Sequence, residues 1–266
     1  MKQRGTAVIM IATCLLFPAC EKTSGKYMRY DGKTLYSAGD TQFDGGLIRE
    51  VEVEWLGGDI EIEQSADNVL YASEDGDGAA EAAKMHHLLQ DGVLKIKYCR
   101  SGYCGEIAEG SKHLRLEIPR GIDLEIECTT AETTVGVIDV NEFDFESTSG
   151  NFSAEKISCQ RLDIQTKKGQ VNIGELAAAE TDAESVSGDI RLGLISPTRG
   201  EIESRSGNVT IQLRQGVGLR VNYCTTSGEL VTNLPYEKKD GCFLFSTGKN
   251  EGAVEIKTKS GNLHIE

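Results

Sequence analysis

"SVSGDIRLGLISPTRGEIESRSGNVTIQL", residues 185–213, contains one short pattern twice. Ser187-Gly188-Asp189-Ile190 returns 19 residues later as Ser206-Gly207-Asn208-Val209, each time between alternating apolar residues. The same interval separates Gly150, Gly169, Gly188 and Gly207. A strict period of this length is the mark of a solenoid in which every repeat is one coil.

A solenoid must keep one side-chain type at each position of the repeat. Five residues before the glycine stand Ile126, Phe145, Ile164, Ala183, Ile202, Tyr223 and Ile256. Three before stand Cys128, Ser147, Thr166, Ser185, Ser204, Thr225 and Thr258, all small. Two after stand Phe152, Val171, Ile190, Val209, Leu230 and Leu263. Alternation on both sides of the turn predicts two short strands per coil, each with one buried face. Stacked coils pair equivalent strands about 4.8 Å apart and share one core. The glycine is expected to supply the backbone conformation of a sharp corner, and Asp189 and Asn208 are turn residues. The expected fold class is all-β: a single-chain parallel β-solenoid with 19-residue coils and an elaborated N-terminal coil.

The 266 residues include 30 Gly and 4 Pro but only 7 Phe and 1 Trp, which fits many tight turns around an aliphatic core. A formal charge of −14 argues against binding nucleic acid or an anionic membrane through the protein surface. Lys2 and Arg4, the apolar run 7–17 and Pro18-Ala19-Cys20 read as an export signal over residues 1–19. "LLFPAC" resembles a lipobox with Cys20 as the acylated N-terminus, plain secretory cleavage being the alternative. Residues 20–45 are polar and glycine-containing and read as a tether. The solenoid is expected over 46–266, with an insertion near 233–248. In "VEVEWLGGDIEIE", residues 51–63, Trp55 falls in the small column, as a capping side chain in an end coil would.

The segment order "YSAGD", "VEVEWLGGDIEIE", "LQDGVLKIKY", "LRLEIP" and then repeated "TSGN", "VSGDI" and "KSGNL" resembles the bacterial "putative adhesin" family, domain of unknown function 4097. The resemblance covers about residues 46–266. It implies a β-solenoid in an envelope protein, in some members linked with envelope stress. It carries over no catalytic residue.

Cys99 and Cys104 in "YCRSGYCGE" could close a hairpin by a disulfide, with free thiols and, further behind, a metal as alternatives. Cys128 reads as a small core residue, and Cys159, Cys224 and Cys242 have no assignable partner. The outward positions four and six before the glycine are acidic in nine cases of ten: Glu125, Asp144, Asp163, Asp182 and Glu201 in one column, Glu127, Glu146, Glu184 and Glu203 in the other beside Gln165. Asp144, Glu146, Asp163, Asp182, Glu184, Glu201 and Glu203 are the expected cation-binding face. Their mutual repulsion would be relieved by weakly bound Ca²⁺ or by a cationic peptide or envelope protein. The other reading is a solvated face.

These features point to a lipid-anchored extracytoplasmic lipoprotein. It would present a solenoid surface for adhesion, binding or envelope-stress scaffolding, with no catalytic residue, cofactor or specific metal. A polysaccharide-active β-helix enzyme is the alternative. Replacing Cys20 tests the anchor: Cys20→Ser is expected to abolish lipid attachment by intact mass and move the protein out of the membrane fraction.

Overall fold

The computed structural model describes residues 28–76, 80–108, 110–249 and 251–266; the export signal and Cys20 lie outside them. Among the described residues there is no α-helix, only strands and two short 3-10 turns. The predicted columns set the architecture. Along one sheet, here called sheet A, Glu50–Trp55, Asp123–Cys128 and Glu142–Ser147 lie parallel in register, followed by the second halves of Phe152–Thr166 and Val171–Ser185 and by Arg199–Ser204. Sheet B stacks Asp59–Gln64, Glu132–Asp139, the first halves of the same two long strands, Ile190–Leu194 and Val209–Leu213. In two coils the expected pair of short strands is therefore one continuous strand of 15 residues that serves both sheets.

Inward residues of both sheets form a single core, in which Leu124, Phe143, Leu162, Ile164, Ile173, Leu192 and Ile211 are almost wholly buried. At the corner the small column works as a cap. The backbone N–H groups of Gly150, Gly169 and Gly188 donate to the hydroxyls of Ser147, Thr166 and Ser185 at 2.9, 3.0 and 2.8 Å. One residue beyond the glycine, polar side chains tie each coil to the next. Asn208 N–H donates to Asp189 Oδ1 at 2.7 Å, and Asn262 N–H to Asn208 Oδ1 at 3.1 Å.

The repeated glycines are needed for a reason other than the one expected. Gly150, Gly169, Gly188, Gly207, Gly228 and Gly261 do not have positive φ. A Cβ on Gly169 would instead overlap the carbonyl oxygen of Gly150, and one on Gly188 that of Gly169. The corner is a column of glycines in which each Cα lies against the carbonyl of the coil before it.

Coil order departs from chain order at both ends. The last segment, with strands Gly252–Thr258 and Leu263–Ile265, inserts between the coil of 199–213 and the coil of 219–232. The glycine column follows the same order, since a Cβ on Gly261 would meet Gly207 O and one on Gly228 would meet Gly261 O. The insertion folds as an antiparallel hairpin, Glu237–Lys239 with Cys242–Thr247, and lies on the outer edge of Leu219–Thr225.

At the other end Val93–Lys97 and His113–Ile118 form a coil outside that of residues 50–64. Trp55 is consequently one coil in from the end, which corrects the expectation of an end coil. It is 1% exposed and packs edge-on against Tyr98 at 4.9 Å. Lys112, 2% exposed, lies 4.9 Å from the Trp55 ring centroid and 4.3 Å from that of Tyr98. Its ammonium pairs with Glu74 at 2.6 Å and donates to Ala83 O at 2.8 Å, which satisfies a charge that burial alone would make costly.

The expected tether is part of the fold from Met28 onward. Met28 is buried, Tyr30 Oη donates to Cys99 O at 3.0 Å, and Thr41–Asp44 pairs antiparallel with Val69–Asp75.

The glycine column gives a direct test. Gly169→Ala is expected to destabilise the fold by roughly 1–3 kcal/mol or more, because the coil must shift to admit the methyl group. Lys168→Ala, exposed beside it, is expected to be near neutral. Urea unfolding of the two variants reads the difference.

Candidate functional site

Strand alternation turns every second residue of sheet A outward, and parallel in-register stacking sets like positions side by side. The first column runs Lys95, Glu52, Glu125, Asp144, Asp163, Asp182 and then, past the irregular Gly200, Glu201 and Glu255. The second runs Lys97, Glu54, Glu127, Glu146, Gln165, Glu184, Glu203, Lys257. The acidic ladders legible in the repeats thus extend into the N-terminal half through Glu52 and Glu54. At the N-terminal end both ladders finish on lysines, Lys95 and Lys97, which lie in a coil out of chain order; at the other end Lys257 closes the second ladder, while the first runs through Glu255 to Asn222.

Those lysines divide the face. Lys95 pairs with Glu52 at 2.6 Å, and Lys97 with Glu54. At the far end Lys257 pairs with Glu201, and with Glu203 at 3.5 Å and Glu255 at 3.6 Å. Arg161 reaches Asp163 at 3.3 Å and Asp182 at 3.7 Å. Of the seven expected face residues, Asp163, Asp182, Glu201 and Glu203 therefore have cations of the chain itself. Asp144, Glu146 and Glu184 make no ion pair among the described residues, and neither do Glu125 and Glu127, which stand beside Asp144 and Glu146 in the adjacent coil between the lysine-bearing ends.

The electrostatics follow this division. Burial, joined by repulsion from Asp163 and only partly offset by Arg161, raises the Asp144 carboxyl to about 6. Burial, with repulsion from Glu127 and Glu52, raises Glu125, and burial with Glu54 and Glu146 raises Glu127. Burial comes first because neighbouring outward side chains cover one another. At the far end the hydrogen bond from Lys257 lowers Glu201, whereas Glu203 beside the same lysine is raised by burial and by Glu201. Glu50, Glu52 and Glu125 bring carboxylate oxygens within 4.8 Å of one another, a separation a divalent cation can bridge.

The cysteine expectation is overturned. Cys99 is buried and Cys104 exposed, and both are free thiols. The disulfide joins Cys224 to Cys242, two residues left without partners by the sequence. They are cross-strand neighbours because the insertion folds back antiparallel on Leu219–Thr225. Cys128 sits in the buried small column as expected, and Cys159 is buried with its thiol pushed up to about 12 by that burial. The histidines are dispersed: His86 and His87 hydrogen-bond Lys84 O and Gly39 O, and His113 faces Asp59 at 3.2 Å.

A parallel β-solenoid with glycine-packed corners and one acidic sheet face defines the class of the protein. Within that class, residues 44–266 match the Toastrack family, DUF4097, and the chain belongs to it. A solved "putative adhesin" from Bacteroides fragilis NCTC 9343 is similar at 12% identity and a TM-score of 0.47, over 85% of this chain and 96% of that one. A "putative adhesin" from Parabacteroides distasonis ATCC 8503 is similar at 15% identity and a TM-score of 0.41, over 91% and 100%. A "putative lipid binding protein" from the same organism is 15% identical with a TM-score of 0.34, also over 91% and 100%. None of the curated proteins matches the chain.

The raised Asp144 carboxyl has a pH consequence. Between its unfolded value of 3.8 and the folded value of about 6, the native state holds the proton more tightly, so this group makes stability fall as pH rises through that window. Asp144→Asn is expected to remove that part of the slope. Allowing for solvent screening on a partly exposed face, it should stabilise the protein at pH 7 by roughly 1 kcal/mol. Urea unfolding at pH 4, 5, 6 and 7 measures both.

Proposed function

We propose that the chain is an extracytoplasmic binding module, held to a membrane by lipid at Cys20, whose acidic sheet face takes a basic peptide or protein segment. The carrying observation is the set Glu125, Glu127, Asp144 and Glu146, stacked without an ion pair between ends that the chain closes with Lys95, Lys97 and Lys257. Ammonium groups from a partner would take up in the middle of the ladder the arrangement these lysines have at its ends. The role is binding rather than catalysis: the carboxylates repeat from coil to coil, and the raised Asp144 is one member of that row, with Glu125 and Asp163 stacked on either side of it. The Cys224–Cys242 bridge supports an oxidising compartment and so agrees with export. Adhesion and envelope scaffolding are both uses of such a face.

A fluorescent lysine-rich peptide titrated against the full chain tests the reading. Asp144→Asn with Glu146→Gln is expected to weaken binding by about tenfold, corresponding to about 1.4 kcal/mol, and rising salt should weaken it further. Glu132→Gln with Glu155→Gln removes the same charge from sheet B and should leave affinity within about twofold. Equal losses from the two pairs would reduce the face to general charge attraction and overturn the proposal. Release of reducing ends from cell-wall polysaccharide would overturn the non-catalytic part.

A further inference from the structure

Closure of the solenoid at its C-terminal end rests on the hairpin of Glu237–Lys239 and Cys242–Thr247. Strand Leu219–Thr225 has Gly252–Thr258 on one side and only this hairpin on the other. The hairpin is attached at two points. At its base the Thr247 hydroxyl donates to Val217 O at 3.0 Å and accepts from Leu219 N–H at 3.1 Å. Near its tip Cys242 is bonded to Cys224, with Cα atoms 4.3 Å apart.

Between these points the packing is uneven. Phe245, near the base, is 5% exposed and belongs to the core. Toward the tip, Glu237–Lys239 is exposed along its length and Leu244 is 37% exposed. Phe243 is partly buried and stacks on Tyr223 at 5.8 Å. Segments with few buried apolar contacts open at the lowest free energy. Both cysteines are only half-buried, so a small thiol can reach the bond.

We propose that Cys224–Cys242 is a redox-operated latch that keeps the hairpin tip closed over the edge of Leu219–Thr225. The reductant is a dithiol. One of its thiolates attacks a cystine sulfur and forms a mixed disulfide; its second thiolate then displaces the cysteine, giving the cyclic disulfide of the reductant. Two electrons and two protons pass to the protein, leaving two cysteine thiols. The tip, Glu237–Leu244, then opens about the Leu244–Phe245 junction, while Phe245 and the Thr247 hydrogen bonds keep the base in place. The switched quantity is exposure of the Leu219–Thr225 edge, whose backbone groups lose their partners in Cys242–Leu244.

Hydrogen–deuterium exchange of the full chain before and after dithiothreitol, with thiol labelling to count reduced cysteines, tests the latch. Reduction should speed exchange of Glu237–Leu244 by about tenfold or more while Val209–Leu213 and Gly252–Thr258 keep their protection, and reoxidation should restore the original rates. Cys242→Ser should show the open pattern without reductant. A bridge that dithiothreitol does not reduce in the folded protein overturns the latch, as does a tip that stays protected after reduction. Uniform loss of protection across the solenoid also overturns it, because the bridge would then be a global staple.

Discussion

The approach of one coil's carbonyl to the next coil's α-carbon, repeated down the corner, is the constraint on which the other features depend. Glycine at 150, 169, 188, 207, 261 and 228 lets the coils close to strand spacing at a bend. Once they are that close, the Ser and Thr three residues earlier can cap the turn, and the Asn and Asp one residue later can bridge to the next coil. A side chain at the glycine position would push adjacent coils apart and weaken these bonds along with the ladder hydrogen bonds of both sheets.

The same regularity fixes the surface chemistry. Parallel in-register stacking brings every outward residue beside its own equivalent, so a repeat that keeps an acid outside must build a row of acids. Cross-strand like charges are unfavourable, and the chain relieves them only where it can depart from the repeat: at Lys95 and Lys97 in the N-terminal end coil, at Lys257 in the intercalated coil, and at Arg161. The carboxylates raised with like-charge neighbours and no ion pair lie two and three coils in from that N-terminal end. Core formation and the charged middle of sheet A are therefore consequences of a single packing rule.

That rule is what made so much of the fold legible. Ile164, Ser185 and Glu184 face where their columns place them because side-chain direction depends only on position within the repeat. The spatial order of coils is a different kind of information. A period says which residues are equivalent, and equivalent coils can exchange places without altering any column, so the intercalation of 252–265 and the outer placement of 93–118 left no trace in spacing. Everything that depends on that order was missed for the same reason: the lysine ends of the ladder, the burial of Trp55, and the Cys224–Cys242 contact made by a hairpin folding back. Packing of Met28 and Tyr30 was hidden differently, since a polar, glycine-containing stretch has no periodicity to show that two of its residues dock.

The two ends solve a common problem with different side chains. A terminal coil has no next coil to cover its corner and its core layer, so the small residue of the repeat no longer fills the space. Near the N-terminal end the outermost coil has no repeat corner of its own, and Trp55, one coil in, occupies the small column with Tyr98 and the Lys112–Glu74 pair closing over it. At the C-terminal end Tyr223 stands in an inward column that is aliphatic in most coils. Its hydroxyl lies 3.1 Å from Thr258 Oγ1 and donates to Gly261 O at 2.9 Å. An amphipathic ring suits this place, because its body extends the core while its tip reaches the polar corner. The coil of 219–232 carries that ring and the edge to which the hairpin is bonded, whereas the coil of 252–265 keeps Val254 and Ile256 in the inward columns and Thr258 in the small one. The intercalated order therefore puts the regular coil inside the stack and leaves the coil with end-filling chemistry at the end.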